Sequence, residues 1–418
     1  NSADNFVFFI DTMLNPAALI RSKIAPICPF ATASGLIIVN VLFVAITLLI
    51  LSLFDVGCKF IKIHSFYTPT FILIFAPYMS VEELNKLKEL LLEPKKIVIT
   101  THRSPDGDAM GSSLGLYNYL KQKGHQVQVI TPNDYPSFLN WMKGDNHVIQ
   151  FTKEPEAAER ITLAAEIIFC LDFNTLSRIE NFAPVVEQAK AFKVLIDHHQ
   201  HPDEFDFNLS DTSACSTAQL IYEFLDMFGD IDAIDQDVAE CLYAGMMTDT
   251  GNFRFPSVTA KTHEIVAFLI RKGAQHDKVY DLVYDNNSVH RLKLLGYCLN
   301  EKLEVLPEYA TAIMSLNSDE LNRFQYQKGD TEGVVNYALS IEGISVAAFF
   351  VEREGIVKIS FRSKGDFSVN QLARDHFNGG GHINASGGTY GTKVEEAIEK
   401  FKSILPNYQS LLIIKKNN

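Results

Sequence analysis

No two of the six cysteines in this 418-residue chain form a CxxC pair. Cys28, Cys58, Cys170, Cys215, Cys241 and Cys298 are scattered, which argues against a cysteine-held zinc and against a disulfide framework, and points to a reducing compartment. A basic surplus is also missing. Lys and Arg number 37 against 50 Asp and Glu, a net charge of −13. That balance excludes a protein that coats long nucleic acid through a basic surface. It leaves room for a small anionic substrate where cations are concentrated at one site. There is no internal repeat, and only one tryptophan, Trp141, read here as a core residue. What is present, 47% hydrophobic and 21% charged residues, is the composition of an ordinary globular chain long enough for two or three cores.

The first 78 residues differ from the rest. No charge occurs from Ile24 to Phe54, and "GLIIVNVLFVAITLLILSLF" (35–54) is long enough to span a bilayer. A second uncharged stretch, 65–79, is shorter and interrupted by Pro69 and Pro77. Arg21 and Lys23 precede the long stretch and Lys59 and Lys62 follow it, so it carries no orientation signal. Two readings stand: a membrane anchor ahead of a cytoplasmic enzyme, or an over-extended reading frame whose biological start is Met79. The second is preferred, because every motif described below lies beyond Met79.

From there the chain alternates short apolar runs with helical patterns, which predicts an α/β fold with a mainly parallel sheet. Strands are expected at 96–100, 126–131, 166–172 and 192–197, with a helix between the first two ended by Gly124. Residues 277–304 read as one long helix linking to a smaller second α/β unit. That unit should hold strands at 309–315, 344–352 and 356–363, a helix, and the glycine cluster "FNGGGHINASGG" (377–388). The expected division is 1–78, 79–276, a 277–304 linker and 305–410.

Acidic and imidazole residues gather where the predicted strands end. The first strand runs into His102, Asp106 and Asp108, the third into Asp172, and the fourth into Asp197, His198 and His199. Ligands of open parallel sheets bind at the carboxyl ends of strands, so these groups should share a crevice. "GMMTDTGNFRF" adds Asp249. So many carboxylates repel one another unless a cation neutralises them. Carboxylates with a few imidazoles and no thiolate suit manganese or magnesium. The ligands are too many for one ion, and paired metals about 3.5–4 Å apart are the usual device for in-line attack on a phosphate ester.

"HRSPDGDAMGS", "LDFN", "IDHHQHP" and "TDTGNFRF", in that order, resemble the four motifs of the DHH phosphoesterase superfamily, and "FNGGGHINASGG" resembles the signature of its associated C-terminal domain. The similarity is greatest to the branch of nanoRNases and pAp (3′-phosphoadenosine 5′-phosphate) phosphatases, and it covers Met79 to about Leu405. The resemblance implies two manganese ions, with magnesium as the alternative. One would be held by His102, Asp106 and Asp172, the other by Asp108, Asp172, His198 and Asp249. It further implies that Asp197 orients His198 and that His199 contacts the scissile phosphate. Arg362 and His382, with the backbone N–H groups of Gly379, Gly380 and Gly381, would grip the far end of the substrate, away from the metals.

Taken singly, each motif has a plainer reading: a capping aspartate with two surface histidines, a turn, a flexible glycine loop. Their order and their placement at strand ends decide against those. Cys170 reads as a buried strand residue and not a nucleophile. The function expected is hydrolysis of short oligonucleotides and of pAp, with no long duplex as partner and with a homodimer among the open oligomeric states. The alternatives are a membrane-anchored cyclic-dinucleotide phosphodiesterase and a non-catalytic nucleotide- or RNA-binding module. The latter would lack ligands, and here every ligand position is filled.

Overall fold

The computed structural model describes residues 81–412. The hydrophobic stretches, Met79 and both readings of residues 1–78 lie outside the described residues. Among the described residues, no helix is long and apolar enough to cross a membrane.

The first α/β unit opens with helix α1 (Val81–Leu90) and strand β1 (Lys96–Thr101), then α2 (Gly107–Gln122) and β2 (Gln126–Thr131). It continues through β3 (Ile149–Gln150), α3 (Pro155–Leu163), β4 (Ile167–Leu171), α4 (Ala183–Gln188), β5 (Phe192–Asp197) and β6 (Phe207–Ser210). Helices α5 (Thr217–Phe228), α6 (Gln236–Asp249) and α7 (Ala260–Arg271) follow. The sheet is wholly parallel, in the order β3-β2-β1-β4-β5-β6. Its strands are apolar on both faces, as a sheet covered on both sides requires. Ile97 and Ile99 of β1, with Phe169 and Val194, join one core under α2, α5 and α6. Val98, Ile168, Cys170 and Leu195, pointing the other way, join a second core with α4 residues such as Val186. The expected strands are found; β3 and β6 are additional, and both are too short to leave a clear alternating pattern.

Two features of this unit position the site. The strand order reverses between β1 and β4, which pair directly (Thr101 opposite Leu171), so the residues just beyond them share the switch-point crevice. Helices α2 and α6 also approach through glycines. A Cβ on Gly111 would stand 2.5 Å from the Cys241 carbonyl oxygen, and one on Gly107 2.3 Å from Thr248 Oγ1. Only glycine permits that approach, and it sets the start of α2, with Asp106 and Asp108, against the end of α6, with Asp249.

The predicted 277–304 helix is in fact two helices, α8 (His276–Tyr284) and α9 (Val289–Glu301). The break falls at Asp285–Ser288, where Ser288 caps α9 by accepting from Arg291 N; polar Asn-Asn-Ser favours a cap over a helix interior. The second α/β unit contains β7 (Glu304–Leu306), β8 (Thr311–Leu316), α10 (Ser318–Arg323), α11 (Val334–Leu339), β9 (Val346–Arg353) and β10 (Ile356–Ser363). After these come α12 (Val369–His376), β11 (Gly380–His382), β12 (Ala385–Thr389) and α13 (Val394–Leu412). Its sheet runs β11-β12-β10-β9-β8-β7, and only β8 and β9 are parallel. The glycine cluster forms a hairpin of β11 and β12 at the sheet edge.

Candidate metal centre

His102 follows β1, and its Nδ1 donates to the Arg103 carbonyl oxygen at 2.8 Å. A carbonyl only accepts, so this bond leaves the Nε2 lone pair free. Nε2 lies 3.9 Å from Asp106 Oδ2 and 3.5 Å from Asp172 Oδ2. Asp106 is fixed as the cap of α2: one carboxylate oxygen accepts from Asp108 N and Ala109 N at 3.0 and 3.1 Å, leaving the other for the crevice. Asp172 adopts φ 63, a left-handed conformation rare for a residue with a side chain and characteristic of functional sites. Its carboxylate, 2% exposed, lies between the two histidines.

His198 repeats the arrangement of His102. Its Nδ1 faces the Ala214 carbonyl at 3.3 Å. Its Nε2 stands 3.8 Å from Asp108, 3.5 Å from Asp172 and 3.6 Å from Asp249. These separations are too long for hydrogen bonds and suit ligands that converge on an ion. Ligand atoms of His102, Asp106 and Asp172, and of Asp108, His198 and Asp249, lie within 4.8 Å of one another in each set. Asp172 contacts both sets through different oxygens.

The electrostatics show what the crevice lacks. Burial, then Asp172 and Asp249, hold the Asp108 carboxyl well above its ordinary range. Burial, with Asp106 and Asp172, pushes Asp249 up to about 6. For His198, burial is outweighed by the surrounding carboxylates, led by Asp172, and its imidazole binds a proton more tightly than usual. A divalent cation between these groups removes the repulsion, so the donor set fits metal.

The structure corrects three expectations. Asp197 orients His199, not His198: its Oδ1 lies 2.7 Å from His199 Nδ1 and its Oδ2 accepts from His199 N. The carboxylate at the end of β5 folds back over the residue two ahead. Second, His382 is not remote from the metal ligands. Its ring stacks on His199 at 4.4 Å between centroids and lies 4.6 Å from His198. Burial and those two imidazoles hold it neutral, far below its ordinary value. Third, Gly379 and Gly381 do not offer free N–H groups, since these donate to the Ala373 carbonyl at 3.2 Å and to Asn370 Oδ1 at 3.1 Å. Glycine serves close approach instead: a Cβ on Gly379 would lie 2.0 Å from the Gly387 carbonyl oxygen, and Gly380 is paired with Gly387. Arg362, in register with Ala385, has no carboxylate within ion-pair distance among the described residues, although Asp249, Glu332 and Asp106 act on it through space. Cys170 is fully buried and its thiol is pushed up to about 12, as a structural residue should be.

The start of α5 escaped sequence reasoning. Thr217 N and Ala218 N donate to the two oxygens of Asp108 at 2.6 and 2.9 Å, and Thr217 Oγ1 donates to Asp172 at 2.9 Å. The helix terminus thereby orients a ligand pair. Its only sequence signal is the Ser216 cap in "ACSTAQL", which accepts from Gln219 N.

The DHH family, N-terminal domain, matches residues 96–246, and the DHHA1 domain matches residues 309–407. The bifunctional oligoribonuclease and PAP phosphatase NrnA of Thermus thermophilus is 31% identical over 307 residues, 73% of this chain and 87% of that protein. The chain belongs to the DHH family. Enzymes of this family depend on metal, and the acidic and imidazole clusters here match that dependence. Among solved structures, an exopolyphosphatase-related protein from Bacteroides fragilis has a TM-score of 0.76 at 39% identity, covering 80% of this chain and 98% of that one. The cyclic-di-AMP phosphodiesterase GdpP of Bacillus subtilis is 28% identical, over 78% of this chain but 49% of its own length.

Proposed function

We propose that this DHH protein is a two-metal phosphoesterase that degrades short oligonucleotides and dephosphorylates pAp, with manganese as its ion. The observation that carries the reading is the convergence of two ligand sets on Asp172 in one crevice. The similarity to an oligoribonuclease and PAP phosphatase over most of both chains supports the substrate class. The bound ions would neutralise the phosphoryl oxygens and lower the pKa of the attacking water. The protein's own part is to hold His102 and His198 in one tautomer, to brace His199 with Asp197, and to confront the crevice with Arg362 and His382. His382 stacks on His199 and Asn370 reaches Gln200 across the units at 3.5 Å, which suits a substrate of few nucleotides. The four described cysteines, all free and buried, suit a reducing cytoplasm.

The similarity to GdpP motivates a second reading, hydrolysis of a cyclic dinucleotide. A product time course with manganese on labelled dinucleotide, longer RNA, cyclic dinucleotide and pAp separates the readings. Fastest loss of the dinucleotide and pAp is expected. Turnover of the cyclic dinucleotide alone favours the second reading, and binding without turnover rejects both.

A further inference from the structure

The turn after β4 carries a guanidinium that the ligand motifs leave unexplained. Arg178 lies in the tight helical segment Leu176–Phe182, kinked at Glu180 (φ 47, ψ −120), a left-handed position for a residue with a side chain. The segment is pinned beside the metal ligands. Arg103, next to His102, donates its backbone N–H to the Arg178 carbonyl at 2.9 Å, and its guanidinium pairs with Glu180 at 2.6 Å. Arg103 is thus neutralised and Arg178 is not: among the described residues its guanidinium has neither an ion pair nor a hydrogen bond. The side chain is half-buried, and its charge is felt by His102 on one unit and His382 on the other. Holding an unpaired guanidinium there, on a strained turn, costs free energy that an anion in the crevice would recover.

The position identifies which anion. Arg362, on the second unit, feels the charges of Asp249, Glu332 and Asp106. Arg178 stands instead on the turn whose carbonyl accepts from Arg103, the residue after His102, and its charge acts through space on His382, which stacks on His199. We infer that Arg178 is a catalytic residue whose guanidinium hydrogen-bonds the non-bridging oxygens of the reacting phosphate. This rests on the phosphoesterase reading. As water attacks, the new O–P bond forms, the ester P–O bond breaks, the water gives up a proton and the leaving sugar oxygen takes one. Charge grows on the non-bridging oxygens meanwhile, and a fixed guanidinium stabilises it more in the transition state than in the ground state.

The test is steady-state kinetics of the full-length protein and of Arg178→Ala and Arg178→Lys on pAp, a dinucleotide, a trinucleotide and the plain diester bis(p-nitrophenyl) phosphate. Metal content and Tm are measured alongside. Removal of the guanidinium should lower kcat on every cleaved substrate by a similar factor, about 100-fold or more. KM, metal content and Tm should stay near wild type, and lysine should restore part of kcat. Unchanged kcat, a loss confined to KM or graded by substrate length, or a loss of metal overturns the assignment. The diester keeps the two claims apart. If wild type cleaves it but no nucleotide, the proposed substrate class fails, while the kcat of Arg178→Ala on the diester still decides the role of Arg178.

Discussion

The two α/β units meet the crevice with different chemistry, because they are built on different sheets. In the first, all strands run parallel, so crossover helices return the chain to the same edge each time. Segments as distant as 102–108, 172, 197–199 and 249 therefore converge, and they bring five aspartates. In the second, antiparallel β10, β12 and β11 bring Arg362 and His382 to the crevice through hairpin register. The first unit carries the carboxylates, with Arg178 on a turn next to them, and the second carries Arg362 and a neutral imidazole. Under the proposed function, metal and chemistry fall to the first unit and substrate selection to the second.

The largest effect should come from attacking the first unit. Chelation should abolish turnover, with manganese restoring it best among single added metals; full activity without metal breaks the comparison at its root. Asp172→Ala should remove turnover and lower bound metal together, because it strips a carboxylate shared by both ligand sets. Retention of two metals and a near-normal rate would show that Asp172 is not shared. Arg362→Ala should leave metal content alone and weaken turnover of pAp and dinucleotide by roughly 10- to 150-fold, equivalent to about 1.5–3 kcal/mol for a charge-assisted contact. Longer oligonucleotides, held by further contacts, should lose less; equal losses at every length would assign Arg362 to the chemistry.

Much of this division is legible in the sequence, and the reasons are physical. Strands β2, β5 and β10 were predicted to the residue because a buried strand demands an unbroken or alternating apolar run. Strand β3, with two residues, gives no such run. The candidate ligands stand out because carboxylates at strand ends are conspicuous. Three-dimensional orientation was not: nothing in "IDHH" tells which imidazole Asp197 will reach, and only closure of the two units shows His382 stacked on His199. Arg178 was hidden for a similar reason, since its isolation depends on Glu180 pairing with Arg103.

Smaller effects refine the picture. Asp197→Ala removes both acceptors that fix His199 and should cost about 10- to 100-fold in rate with metal retained; parallel metal analysis separates this from ligand loss. Across the units, Lys328 Nζ pairs with Asp134 Oδ1 at 2.7 Å. Burial pushes the Asp134 carboxyl up, but the Lys328 bond and charge outweigh it and hold the group below its ordinary value. A depressed carboxylate stabilises the fold fully above about pH 4 and less as the pH falls further. Because Asp134 is half exposed and Lys328 half-buried, solvent screens the pair, and Lys328→Ala should cost about 1 kcal/mol in denaturant unfolding at pH 7. A larger loss would show that this clasp holds the two units together.

Two ions sharing Asp172 would leave a magnetic signature. Manganese titration of the metal-free protein, followed by electron paramagnetic resonance, measures both number and proximity. Two manganese ions per chain with an exchange-coupled spectrum, reduced to uncoupled or lost signal in Asp172→Ala, is the predicted result. A single ion, or two that never couple, would contradict it.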